Sequence, residues 1–381
     1  MPATRSAKRR LSTSPEPTSP KKVAKSRSAN QKAAQPQIIN NAGAQSDASH
    51  TADQGSELVP QLTFSFYEAR EHLCGVDARF VDVFSRLRCK PFEELEHIHP
   101  FRALTSSILS QQISTLAARS IHHRFLRLYD PALPENREEY SGSFFPTPAQ
   151  VAVTDLTTLR TAGLSQRKAE YIHDLAERFA DGRLSASKIF ESSDEELAEL
   201  LLPVRGIGQW TVDMFAIFSL RRPDILPVGD LGVQRGVLRW FLSQHSPSHA
   251  FPASPTKASP KKKTTKRDKK EDADMVPNEA DELARPSTPP PVDSGAPALP
   301  PAFTPSIERT LKKTFVDQPP QALPAGLTVA EMKSRLDGKK KIKGAFLTPE
   351  QMTELTESWR PYRSIAVYFM WALADAQVAA T

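Results

Sequence analysis

The chain is short of cysteine, of glycine and of long apolar runs, and each shortage closes off a class of protein. Two cysteines in 381 residues, Cys74 and Cys89, cannot build a disulfide framework or a four-cysteine zinc or iron–sulfur site. A reducing compartment is the simpler expectation. No unbroken apolar run approaches the ~18 residues of a membrane-crossing helix, and no secretory signal is expected. Glycine numbers 15 against 33 prolines, and the prolines gather at the N-terminus and between about 247 and 325. Without those stretches a core of roughly 220–230 residues is left, the size of one domain. No strong strand pattern appears, so the fold class is all-α. A net charge of +6 favours an anionic partner without singling out nucleic acid.

Composition divides the chain into four stretches. Residues 1–58 hold few aromatics and much Ser, Ala, Gln, Lys and Pro, and read as a disordered basic tail. Within it, Lys8-Arg9-Arg10 and Lys21-Lys22 with Lys25 have the spacing of a bipartite nuclear-import signal; a solvated basic tail is the other reading. Residues 59–244 form a helical core, with a hairpin over 194–220. Residues 245–345 read as a disordered Lys/Pro-rich insertion, with some helix over 306–316 and 328–336; its basic run binds DNA, directs import or does neither. Residues 346–381 supply closing helices near 349–359 and 361–376.

Inside the core, periodicity predicts one long helix or two abutting ones over Phe101–Tyr129. Thr154 or Asp155 caps a short helix that Gly163 ends, and Ser165 caps the next over 166–180. Ser193 and Glu196 make a capping-box pattern that opens 194–202. Helices 209–220 and 231–244 follow.

Two strings carry the chemistry. In Leu201-Leu202-Pro203-Val204-Arg205-Gly206-Ile207-Gly208-Gln209-Trp210-Thr211, two glycines permit a tight turn and a close approach to a ligand, and the following helix N-terminus offers unpaired N–H groups suited to a phosphate. Taken alone, the string fits an ordinary helix–turn–helix connection equally well. In Leu226-Pro227-Val228-Gly229-Asp230-Leu231-Gly232-Val233, Asp230 is placed to cap the next helix. An N-cap acid just beyond a phosphate-gripping turn has a second use: it stabilises the positive charge that builds on a sugar as an N-glycosidic bond breaks, and it orients the attacking water. Asp213, on an apolar helix, and Asp224, in a loop, are the competing acids.

Together these strings resemble the hairpin and catalytic-aspartate segment of the helix-hairpin-helix (HhH-GPD) DNA glycosylases. Four further blocks, in order, are similar to the 3-methyladenine (alkylpurine) branch, type II. They are Ile108-Leu109-Ser110-Gln111-Gln112-Ile113-Ser114; Ala162-Gly163-Leu164-Ser165 with Arg167-Lys168 and Tyr171-Ile172; Leu226-Pro227; and Trp359-Arg360-Pro361-Tyr362-Arg363-Ser364 with Ala366 and Trp371. The resemblance spans about 64–244 and 346–376. It implies two helical lobes flanking a DNA-binding cleft, with Asp230 as catalytic acid, Trp210 and Trp371 lining a base pocket, and Gly206, Gly208 and Gln209 at the DNA. It also places Gln112 as a wedge in the gap left by a flipped base.

Trp210 stands where lyase-competent relatives carry a Schiff-base lysine, which implies a monofunctional enzyme using water. Lys168 is the nearest alternative amine, in a block whose basic side chains are expected to face phosphate or solvent. A cationic alkylated purine stacks well on an indole; for the two tryptophans, core packing is the competing reading. The implied partners are duplex DNA containing alkylated purines and downstream base-excision repair enzymes, with no membrane, no metal and no organic cofactor. A monomer in the nucleus is expected. Two rivals stand beside this reading: a glycosylase for another damaged base, and a helix-hairpin-helix DNA-binding module without catalysis.

Overall fold

The structure, a computed structural model, describes residues 62–97, 99–249, 310–311, 319–339, 342 and 344–374. The expected N-terminal tail, its two basic clusters and most of the expected insertion lie outside these residues. The described residues are helical, with no β-structure beyond one isolated bridge pairing Ile342 with Ala345. No described helix is long and apolar enough to cross a membrane.

Side-chain caps set most of the helix starts. The first three helices are α1 (Phe66–Val76), capped by Ser65, α2 (Arg79–Arg86) and the short α3 (Lys90–Glu93). The stretch expected as one helix or two is two: α4 (Pro100–Ser110) and α5 (Thr115–Arg127), the latter capped by Ser114. Next come α6 (Pro148–Ala152), α7 (Leu156–Thr161) and α8 (Gln166–Ala180). Asp155, not Thr154, caps α7, and Ser165 caps α8 as expected. Then follow α9 (Ala186–Glu191), α10 (Asp194–Leu201) with the Ser193/Glu196 capping box, α11 (Gln209–Phe218) and α12 (Leu231–His245). Each such cap contributes about 1 kcal/mol by satisfying an N–H that the helix itself leaves open.

The chain closes with α13 (Val329–Leu336), α14 (Pro349–Leu355) and α15 (Arg363–Ala374). Helix α13 is the helix expected over 328–336, inside the stretch read as a disordered insertion. A Thr328/Glu331 capping box starts it, its Met332 is fully buried, and Leu327 beside it is also buried. Composition alone does not show that this expected helix packs into the core, because the Lys/Pro-rich stretch around it dominates 245–345. Thr310 and Leu311, also inside that range, are buried as well, and the Thr310 hydroxyl donates to Asp82.

The apolar side chains collect in two cores. One joins α1 and α2 to α12 and the closing helices; the other joins α4 to α10. Helix α11 feeds both: Met214, Ile217 and Phe218 enter the first, and Val212, Phe215 and Ala216 the second. It is buried at every position from Thr211 to Phe218, as expected of a helix that is apolar on all sides. Helices α12 and α15 approach backbone to backbone at Gly236, where a Cβ would lie 2.1 Å from the Met370 carbonyl oxygen. This packing brings the start of α12, and with it Asp230, against Trp371 of α15.

Candidate active site and hairpin

Helices α10 and α11 enclose the predicted hairpin. Its turn is closed by Val204 N–H donating to the Leu201 carbonyl at 3.0 Å and Ile207 N–H donating to the Val204 carbonyl at 3.1 Å. Gly206 has φ +79, and a Cβ there would sit 2.1 Å from the Tyr171 ring. Gly208 has an ordinary φ of −107 and caps α11 without a side chain, and no heavy atom lies within 4 Å of where its Cβ would be. Among the described residues, the N–H groups of Gly208, Gln209 and Trp210 find no acceptor. Three donors at a helix start, with open space beside the glycine, are the kind of group that can hold a phosphate.

Asp230 is the N-cap of α12 and is buried. Its Oδ1 accepts from Val233 N–H at 2.8 Å and from the Trp371 indole N–H at 3.0 Å. Its Oδ2 accepts from the Trp210 indole N–H at 2.7 Å. The predicted acid and both predicted tryptophans thus meet at one carboxylate. A carboxylate oxygen has room for about two donors, so Oδ2 keeps an acceptor position while Oδ1 is filled. Gly232 makes the Trp371 contact possible, since a Cβ there would lie 2.9 Å from Trp371 Cδ1 and 3.0 Å from Asp230 Oδ1.

The two indoles differ in exposure. Trp371 is buried, with its ring 5.3 Å from Phe218. Trp210 is half-buried, and among the described residues no aromatic ring packs on it. Trp371 is therefore an orienting donor to the acid, and Trp210, which packs against the same core, is the more exposed of the two indoles.

The competing acids are otherwise engaged. Asp224 is gripped by Arg363, whose Nε and Nη2 donate at 2.6 and 2.9 Å, and by Arg360 at 3.0 Å. Ser364 fastens the same loop: its hydroxyl accepts from Ile225 N–H at 2.8 Å, and its N–H donates to the Pro223 carbonyl at 2.9 Å. This arginine–serine segment therefore holds the loop that delivers Asp230. Gln234 assists by donating to the Val228 carbonyl at 2.7 Å and accepting from Phe346 N–H at 2.8 Å. These supporting roles were not drawn from the sequence, although Arg363 and Ser364 stand in one of its distinctive blocks. Asp213 is buried on α11, and Gln209 donates to its Oδ1 at 2.8 Å. Burial, with the charge of Asp230 adding to it, raises Asp213 to about 6 against the restraint of the Gln209 hydrogen bond.

Three residues of the predicted DNA face are placed as follows. Gln112 is exposed with φ +58, in the turn between α4 and α5. Gln209 is exposed at the hairpin, but its amide is committed to Asp213. Lys168 corrects an expectation. Its ammonium faces neither phosphate nor solvent alone but donates to the Leu109 and Gln111 carbonyls at 2.8 and 2.6 Å, because the end of α4 leaves those carbonyls without helical partners. Burial lowers it to about 8. Among the described residues, no three His, Cys, Asp or Glu side chains gather as a metal-holding group.

A two-core helical fold, with a two-glycine hairpin leading into the central helix and an N-cap aspartate beside it, defines the helix-hairpin-helix repair class. Residues 105–251 match the family described as HhH-GPD superfamily base excision DNA repair protein. The chain is 32% identical over 209 residues to DNA-3-methyladenine glycosylase 1 of Schizosaccharomyces pombe, covering 54% of this chain and 81% of that protein. It is 32% identical over 178 residues to the alkylbase DNA glycosidase-like protein mag2 of the same organism, covering 46% and 78% respectively. A solved structure of the S. pombe 3-methyladenine DNA glycosylase with abasic DNA is similar at 32% identity and a TM-score of 0.36, covering 44% of this chain and 78% of that one. The chain belongs to the HhH-GPD superfamily of base excision DNA repair proteins.

Proposed function

We propose that this protein is a monofunctional DNA glycosylase that hydrolyses alkylated purines of the 3-methyladenine and 7-methylguanine type from duplex DNA. The observation that carries the reading is the Asp230 carboxylate, buried and held by the indole N–H groups of Trp210 and Trp371. The hairpin N–H groups of Gly208, Gln209 and Trp210 grip a backbone phosphate, and Gln112 fills the gap as the damaged nucleotide swings out. Flipping costs a few kcal/mol and least for a poorly stacked base, so selection begins before chemistry. The cationic purine stacks on the Trp210 indole.

Bond breaking sends the C1′–N9 electron pair to the purine, whose ring charge it neutralises. Positive charge moves to the sugar, where the Asp230 carboxylate stabilises it. Water then adds to C1′ and gives up its proton, with Asp230 Oδ2 as the acceptor that retains a free position. The products are the free base and an intact strand bearing an abasic site, the substrate of downstream base-excision enzymes. Trp210 supports the water route, because an indole offers no amine to form a Schiff base.

The chain works as a monomer, and the clusters Lys8–Arg10 and Lys21–Lys25 direct it to the nucleus. Two properties of relatives bear on the reading: the S. pombe homologues carry the names of a 3-methyladenine glycosylase and an alkylbase glycosidase-like protein. The deciding experiment incubates the protein with methylated duplex DNA and identifies the released bases by chromatography. Release of 3-methyladenine or 7-methylguanine is the expected result; tight binding with no base released would leave a DNA-binding module instead.

A further inference from the structure

Helix α8 presents four side chains for which the proposed reaction has no use: Lys168, Tyr171, Asp174 and Arg178. They are spaced three, three and four residues apart, so they share one helix face. Each reaches one of two turns. Lys168 Nζ binds the Leu109 and Gln111 carbonyls at the end of α4, just before Gln112. The Tyr171 ring fills the space beside Gly206. Asp174 Oδ2 accepts from Arg205 N–H at 2.9 Å. Arg178 donates to the Pro203 carbonyl at 2.9 Å and to Asp174 Oδ1 at 3.1 Å. A direct tie joins the two turns as well: the Gln111 side-chain amide donates to the Gly206 carbonyl at 2.9 Å.

We propose that this face of α8 holds the Gln112 turn and the hairpin in fixed register, with Lys168 as the positioning residue that locks the wedge. The inference rests on the reading of Gln112 as a wedge. Its physical content is pre-organisation. A non-glycine residue at φ +58 occupies a sparsely populated conformation and persists only where its surroundings over-determine it. Lys168 supplies two charge-assisted hydrogen bonds, to the Leu109 carbonyl and to the Gln111 carbonyl of the peptide bond that leads into Gln112. The turn is then ordered before DNA arrives, so its ordering entropy is not charged against base flipping. The hairpin, held by the same helix, fixes where along the strand the wedge acts.

The test separates flipping from chemistry. Single-turnover release of 7-methylguanine is measured from two duplexes, one with the lesion paired to cytosine and one with it opposite an abasic-site analogue. In the second duplex the base is already unpaired and needs little wedging. Lys168→Met is expected to lose roughly tenfold or more on the paired duplex, the scale of a lost charged hydrogen bond. It should stay within about threefold of wild type on the unpaired one, and Lys168→Arg, which keeps the donors, should recover much of the loss. Equal loss on both duplexes, or loss on neither, would overturn the proposal.

If Lys168→Met does not fold, Gln111→Met cuts the tie to Gly206 and is expected to show the same split. A 2-aminopurine placed beside the lesion reports unstacking without any catalysis: bound wild type should brighten it and Lys168→Met should not. Should wild type release no base from either duplex, the proposed function fails, and this fluorescence difference alone decides whether the register holds.

Discussion

Gly206 and Gly208 stand two positions apart in one turn, yet the structure requires glycine only at Gly206, and at Gly208 the proposed DNA contact would. At Gly206 the backbone is left-handed, with φ +79, and an added Cβ would fall 2.1 Å from the Tyr171 ring. Left-handed backbone costs a non-glycine residue roughly 1–2 kcal/mol. Forcing a methyl into packed space costs about 1–3 kcal/mol more. Gly206→Ala should therefore destabilise the protein by about 2–5 kcal/mol, or about 4–20 °C in Tm for a domain of this size. At Gly208 φ is −107 and the space beside it is open. Gly208→Ala should cost less than about 1 kcal/mol of stability, as alanine is only a poorer N-cap. Its methyl instead intrudes where a phosphate approaches, and DNA affinity should fall about tenfold, equivalent to 1.4 kcal/mol. Thermal unfolding and fluorescence-anisotropy binding read the two effects separately. Tyr171→Ala in the Gly206→Ala background should relieve the clash but not the backbone term, giving a favourable coupling in a double-mutant cycle. Equal Tm losses for the two alanine variants, or no coupling to Tyr171, would refute the reasoning.

Four other outcomes are expected. Asp230→Asn should nearly abolish base release while DNA binding survives; because its NH2 group must face the Trp210 N–H that Oδ2 now accepts, a loss of about 1–3 kcal/mol in unfolding free energy should accompany it. Borohydride added during turnover should trap no covalent adduct, since Trp210 has no amine and Lys168 Nζ is bound to two carbonyls; trapping that vanished in a single Lys→Ala variant would overturn the monofunctional reading. Removing residues 251–305 behind a short linker, while keeping Thr310, Leu311 and 319–339, should leave activity at saturating DNA intact and weaken binding only at low salt, because its lysines would add phosphate contacts alone. Asp213→Asn should gain stability on wild type as pH rises from about 4 to about 7, by roughly 2–3 kcal/mol, measured as the difference between the two proteins in urea melts.

The sign of that last difference follows from linkage. Folding raises Asp213 to about 6, so the folded protein binds this proton more tightly than the unfolded chain does. The resulting stability is present at low pH and is lost as pH rises through about 6. His122 works in the opposite direction over the same range: burial, with Arg102 nearby, lowers it to about 4, so its contribution is lost as pH falls. The two oppose each other in the wild-type curve, which is why the variant-minus-wild-type difference is the informative quantity. A flat difference between pH 4 and 7 would show that Asp213 is not held as an unfavourable buried charge.

Local signals were readable from the sequence, and remote ones were not. Ser165, and Ser193 with Glu196, cap the helices they were expected to cap, because a cap bonds only two or three residues ahead. Asp230 with Trp210 was recognisable through its motif, and the two lie 20 positions apart. The arginine clamp on Asp224 spans 136 and 139 positions, and no local pattern announces it. The link from Gln111 to Gly206 spans 95 positions, and that from Lys168 to Leu109 spans 59. Lys168 reads as a surface base because it stands in a block of basic side chains expected to face phosphate or solvent; only the carbonyls left open at the end of α4 give its charge a destination. Helix α13 falls within the expected 328–336, but its burial against the core was not legible in the Lys/Pro-rich composition around it.

The electrostatics of the site favour a cationic substrate for reasons beyond the missing lysine. Among the described residues, every hydrogen-bond donor to the Asp230 carboxylate is uncharged: two indole N–H groups and one peptide N–H. Neutral donors hold and orient the anion without cancelling its charge, whereas a lysine at position 210 would form an ion pair with it. The nearby arginines do not fill that role, because Arg360 and Arg363 are drawn to Asp224. Asp213 adds a second carboxylate whose field reaches Asp230. In the proposed reaction a buried site with this balance would attract a purine already carrying positive charge and lower the cost of passing that charge to the sugar. A neutral lesion gains neither benefit and must also be protonated as it leaves. In the proposed reaction the indole at position 210 thus acts twice: it denies the site a nucleophile, and it holds the aspartate without an ion pair.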